Sequence, residues 1–144
     1  MTEQIRTKFL GDLGEYLLTW YLRSKFGINV SLVKAEGIDL LCLDQGGHFF
    51  PKGEHVAISV KTRERKERFF HSSVKSGMDK VVEASKRWKA RPYFAYVRIT
   101  PEKGLITCFL QPIPEAMTHY KSYNPKKAER DRSNILFEMK FNDF

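Results

Sequence analysis

Two short stretches decide how this chain folds: Gly37-Ile38-Asp39-Leu40-Leu41-Cys42-Leu43 and His55-Val56-Ala57-Ile58-Ser59-Val60-Lys61-Thr62. In the second, Val56, Ile58 and Val60 fall on one face and Ser59 with Lys61 on the other, which is the period of a β-strand. The first holds a carboxylate, Asp39, at the start of an apolar run where an unpaired charge is costly. Between them, Asp44-Gln45-Gly46-Gly47 and Pro51-Lys52-Gly53 read as turns, so one strand follows closely on the other.

Upstream, the spacing predicts a helix over Glu3 to Phe26. Ile5, Phe9, Leu13, Leu17 and Trp20 recur at helical intervals, and Gly27 supplies the stop. A second set, Leu10, Leu18, Tyr21 and Leu22, widens the apolar arc, so the helix is expected to be covered on more than one side. Ile28 to Val33 reads as a strand. Downstream, Met78, Val81, Val82, Ser85 and Trp88 mark a helix from about Val74 to Trp88. Strands from Tyr93 to Ile99 and Leu105 to Leu110 flank the turn Pro101-Glu102-Lys103-Gly104 as a hairpin. Pro114 to Tyr120 reads as a short helix, Lys121 to Ser133 as polar loop, and Ile135 to Phe141 as a last edge strand. The order is α-β-β-β-α-β, extended by the hairpin strand and a C-terminal appendage. An α/β architecture follows, a mixed central sheet flanked by helices, in a single domain over residues 1–144.

At 42% hydrophobic residues the chain has the composition of a folded protein rather than a disordered one. Lys and Arg outnumber Asp and Glu by 25 to 17, and the resulting charge of +8 favours a polyanionic partner, nucleic acid before anionic membrane. No long apolar run is present that would span a membrane, and the opening Met1-Thr2-Glu3-Gln4 lacks the layout of a signal peptide. Cys42 and Cys108 each sit in an apolar strand-like run, so buried, reduced thiols and a cytoplasmic location are expected. His48, His55, His71 and His119 show no zinc-ligand spacing.

Chemistry concentrates in three chargeable residues set in mostly apolar elements: Glu15 within Gly11-Asp12-Leu13-Gly14-Glu15, Asp39, and Lys61. Carboxylates brought close together suit a hard divalent cation such as Mg²⁺. A lysine beside such a cation can orient or deprotonate a water for attack on phosphorus. The basic run Lys61-Thr62-Arg63-Glu64-Arg65-Lys66-Glu67-Arg68, followed by Phe69 and Phe70, follows directly, with Lys75 on the next helix. Its phosphate-gripping reading centres on Arg63, Arg65, Lys66 and Arg68, and its plainer reading is a solvated loop. Likewise, Glu15 has a plainer reading as a solvated helix residue and Lys61 as a charged strand end.

Glu15, Asp39 in Gly37-Ile38-Asp39-Leu40, and a strand ending in Val60-Lys61-Thr62 together resemble the PD-(D/E)xK nuclease superfamily, and within it the Holliday-junction resolvases and related small nuclease-like domains. The resemblance runs from about Gly11 to Ile99. It implies a restriction-endonuclease-like fold and a metal-dependent endonuclease that hydrolyses phosphodiester bonds of DNA, branched or structured DNA included. It also implies Mg²⁺ or Mn²⁺ held by Asp39 and the Val60 carbonyl, Lys61 acting on the nucleophilic water, and Glu15 holding metal-bound water. Homodimers are common among such relatives. The pattern departs at Ser59, where the family expects a carboxylate two residues before the lysine. Serine removes a full negative charge and a strong ligand, and leaves a hydroxyl in the catalytic group. Some restriction endonucleases of the superfamily carry Ser-Val-Lys there and compensate with an acid on the following helix. Asp79 and Glu83 sit one turn apart on that helix, and Glu36 precedes Asp39, so three carboxylates are candidates. The alternative reading is a weakened or inactive nuclease-fold protein that binds DNA, RNA or a protein, for which the pair Phe49-Phe50 in the Asp44–Glu54 loop offers a contact.

Overall fold

Helix α1 (Glu3–Phe26) opens the chain with both ends capped by its own sequence. The Thr2 hydroxyl accepts from the Ile5 N–H at 3.2 Å. Gly27 takes the left-handed conformation (φ 66°) that closes a helix and that other residues adopt at a cost. The computed structural model describes residues 2–64, 72–113 and 135–143, and of residues 34 and 72–77 the backbone alone. The chain continues through strands β1 (Asn29–Ala35), β2 (Ile38–Leu43) and β3 (His55–Glu64), helix α2 (Ser72–Trp88), then β4 (Arg91–Thr100), β5 (Leu105–Pro112) and β6 (Ile135–Lys140).

All six strands form one sheet in the order β1-β2-β3-β4-β5-β6. Successive strands pair antiparallel except β3 and β4, which run parallel because α2 carries the chain back across the sheet between them. The described residues are thus α/β, a mixed sheet with α1 on one face and α2 on the other. Helix α1 packs chiefly on β3 and β1, and α2 on β3 and β4. Leu18 and Leu22 of α1 close over Leu40, Val56, Ile58 and Val97. On the other side Met78, Val81 and Val82 of α2 cover Phe94, Tyr96 and Phe109. Strand β3 therefore has a helix on both sides, and its residues from Val56 to Val60 are all buried.

Glycines set both helix positions. A Cβ on Gly14 would stand 1.9 Å from Oγ1 of Thr62, so α1 reaches β3 this closely only because residue 14 has no side chain. A Cβ on Gly37 would meet the Lys80 carbonyl oxygen at 2.5 Å, and its φ of 83° also suits glycine.

Several expectations need correction. Helix α1 is not covered all round: Leu17, Leu18 and Leu22 face the sheet, while Ile5, Phe9, Tyr16 and Trp20 lie more than half exposed. Phe50 is buried and so offers no contact surface, whereas Phe49 stacks on Phe26 at 4.5 Å and remains exposed. Strands β3, β4 and β5 each extend past their expected ends, because parallel or antiparallel neighbours continue the ladder beyond the apolar runs. The Pro114–Tyr120 helix and the Lys121–Ser133 loop lie outside the described residues. Cys42 and Cys108 are free and buried, as expected, and burial pushes the Cys42 thiol up to about 12 and raises that of Cys108 as well, so neither is a nucleophile.

Candidate nucleic-acid-processing site

The β2–β3 ladder runs from Leu43/His55 to Leu40/Ile58 and stops there. Beyond that point Oδ2 of Asp39 accepts a hydrogen bond from the backbone N–H of Val60 at 2.7 Å. The carboxylate thus takes a place between the strands at a residue flanked by Ser59 and Lys61. In a strand, the N–H and C=O of one residue project to the same side, as the paired bonds of an antiparallel ladder require. The Val60 carbonyl is consequently directed toward β2, the side from which Asp39 approaches.

Ser59 and Lys61 project to the α2 face, because their register partners on β4, Phe94 and Tyr96, pack under α2. Ser59 is buried and Lys61 half-buried. On β2, Ile38 and Leu41 both pack with Ala57 and Ala84 on that same side although they are three residues apart. Strict alternation is broken around Asp39, in keeping with a side chain that reaches along the sheet to the β3 backbone.

Glu15 comes from the opposite face. It follows Gly14, which stands against Thr62, so it lies on the helix that covers the Val60 side of β3 rather than the Lys61 side. It is half-buried and already engaged by neighbouring groups. Asp79 is also half-buried and engaged. Glu83 is exposed, off the face of α2 that carries Met78, Val81 and Ser85, and Glu36 is exposed in the β1–β2 turn. Among the described residues no group of three or more His, Cys, Asp and Glu side chains converges. The structure sets Asp39 against Val60, between Ser59 and Lys61 of β3, with Glu15 on the opposite face of the sheet and Glu36 and Glu83 exposed.

Of the basic residues, Arg63 continues the Ser59–Lys61 face of β3, and its guanidinium donates to the Thr62 carbonyl at 2.9 Å. Arg65, Lys66 and Arg68 lie outside the described residues, as does the side chain of Lys75. Arg98 was not legible as a site residue. It stands beside Arg63 in the β3–β4 register, with its guanidinium 5.2 Å from the Phe109 ring centroid. Only the parallel pairing reveals this, since the two arginines are far apart in sequence. A cavity of about 420 Å³ opens where the end of β3 meets the first half of α1, lined by Glu3, Arg6, Thr62, Arg63 and Glu64 among others. Arg6 pairs with Glu64 across it, so its walls carry both signs and do not form an anion site.

The buried Asp44 is structural. It is desolvated, yet backbone N–H groups of Phe49 (2.7 Å), Phe50 (2.9 Å) and Gly47 (3.0 Å) hold its carboxylate below the usual range. They fold the loop that seats Phe50.

Compared with known protein families and with curated proteins, the sequence matches none. No described helix is long and apolar enough to cross a membrane.

Proposed function

We propose that this protein is a metal-dependent endonuclease acting on phosphodiester bonds of DNA, with its site at Asp39, Val60 and Lys61. The observation that carries the reading is the Asp39–Val60 hydrogen bond, which sets a carboxylate and a main-chain carbonyl in one gap beside a half-buried lysine. The element order α-β-β-β-α-β, with β4 parallel to β3, supports a restriction-endonuclease-like core.

The donor set is all oxygen, which suits Mg²⁺ or Mn²⁺, and Mg²⁺ is commonly held by one or two carboxylates together with waters and substrate phosphates. Asp39 and the Val60 carbonyl would hold the ion, with Ser59 adding a hydroxyl at most. When bound, the ion would lower the pKa of a water and neutralise charge on the scissile phosphate. Lys61 would orient the attacking water through its ammonium, and Arg63 with Arg98 would draw the phosphate backbone toward the end of β3. A surplus of +8 over the chain steers the polyanion in.

A second reading has its own observation. Asp39 lies against the Ser59–Lys61 segment, and among the described residues no group of three or more His, Cys, Asp and Glu side chains forms around it. A nuclease-fold protein that binds nucleic acid without cutting it would look the same. Incubation with linear, supercoiled and branched DNA, and with RNA, over a range of Mg²⁺ and Mn²⁺ separates the two. Cleavage lost in Asp39→Asn and Lys61→Ala with binding retained supports the enzyme. Binding without cleavage under either metal supports the second reading, and cleavage that survives Lys61→Ala refutes the mechanism.

A further inference from the structure

The second half of β3 has two different edges. Toward β4 the ladder continues to Glu64/Ile99, whereas toward β2 it stops at Leu40/Ile58. Residues two apart in a strand direct their carbonyls the same way, so Val60 and Thr62 both turn theirs toward the β2 side. The first of these lies beside Asp39, whose Oδ2 takes the Val60 N–H. The second accepts from Nη1 of Arg63 at 2.9 Å. Arg63 therefore curls from the α2 face of the sheet to the edge that holds Asp39 and Val60, and its guanidinium stands one carbonyl further along.

Two strand residues span roughly 7 Å, close to the spacing of consecutive phosphates along a nucleic-acid strand. We infer that Arg63 holds the phosphate next to the one being cut, so that the substrate is an uninterrupted strand read through two consecutive phosphates. This rests on the endonuclease reading above and specifies the substrate for it. A guanidinium suits the task, because its planar fork matches phosphate oxygens and it stays charged.

The surroundings agree. Glu64, next in the chain, pairs with Arg6 of α1, so its charge is answered on the other face of the sheet. Arg98 is the register partner of Arg63, yet its guanidinium stands over the Phe109 ring of β5, away from this edge. Arg98 thus attracts the strand from a distance, and Arg63 touches it. The grip is also one-sided. In the other direction from Val60, the next carbonyl of that edge belongs to Ile58, which is buried within the ladder. A bond at the unphosphorylated end of a strand is therefore a poor substrate when that end falls at Arg63.

DNA affinity followed against salt, without divalent metal, counts the phosphate contacts. Arg63→Gln should lower the slope of log affinity against log salt by about 1, and Arg63→Lys should restore it. An unchanged slope in Arg63→Gln overturns the inference. Oligonucleotides with a single uncharged methylphosphonate beside the scissile phosphate then locate the contact. On one side and not the other, this group should slow wild-type cleavage roughly tenfold or more, as loss of a charged hydrogen bond does. Arg63→Gln should cleave unmodified DNA more slowly by that factor and lose nothing further to the methylphosphonate, while Arg98→Gln keeps the penalty. Equal penalties on both sides, none on either, or a full penalty in Arg63→Gln overturn the inference and leave the endonuclease reading standing. Wild-type protein that cleaves no unmodified DNA under Mg²⁺ or Mn²⁺ overturns that reading, and the inference with it.

Discussion

Asp39 and Val60 are joined by a hydrogen bond from the Val60 N–H to Oδ2 at 2.7 Å, just past the last ladder pair of β2 and β3. The carboxylate does in part what the next rung would have done, and this gives its two substitutions different consequences. Asp39→Asn keeps an acceptor for Val60 and should leave stability within about 1 kcal/mol. Asp39→Ala orphans a part-buried N–H and should cost about 1–3 kcal/mol in chemical denaturation. Both should abolish cleavage, because both remove the charge.

Ser59 tests what a second carboxylate would do. Ser59→Glu restores the acid expected two residues before the lysine, and activity at low Mg²⁺ should rise. The position is buried beside Phe94, so stability should fall in the same variant. Activity that falls at all metal concentrations, with the fold intact, would mean that an existing group already serves there.

Two glycines should refuse even alanine. Gly14→Ala puts a methyl into Thr62 Oγ1 and Gly37→Ala puts one into the Lys80 carbonyl at a positive φ. Each should cost about 1–3 kcal/mol through displacement of a helix from the sheet. Gly11→Ala, with open space around it, should be neutral or stabilising. Thermal melts of the three variants check the contrast.

Asp44 should make stability depend on pH. Its folded pKa is depressed, so its contribution is complete above the unfolded value near 4 and is lost as pH falls through the lower folded value. Asp44→Asn should lower stability at neutral pH and flatten the acid limb of a denaturation midpoint plotted against pH. An acid limb identical to wild type would rule this carboxylate out as its source.

Affinity for DNA should fall steeply with salt, and charge reversal at Arg63 or Arg98 should weaken it for all sequences alike. Arg98→Glu sharpens the test, because that residue enters only through its place beside Arg63. Filter binding over a salt series, with Arg87→Glu on the exposed end of α2 as control, reads the difference.

Helix α1 runs over the residues its periodicity marks, and β2 likewise, because caps, turns and apolar period act between residues close in the chain. The same local rules place Ser59 and Lys61 together on one face of β3. They could not tell which side of α1 is buried, since both sides are apolar and only the sheet beneath chooses Leu18 and Leu22 over Phe9 and Trp20. Nor could they place Asp39, where strict alternation fails and the side chain turns to a backbone donor on another strand. Arg98 meets Arg63 only because α2 returns the chain parallel to β3. Local structure was determined by the sequence through near neighbours; the composition of the site was decided by strand pairing, which joins residues that the chain itself keeps apart.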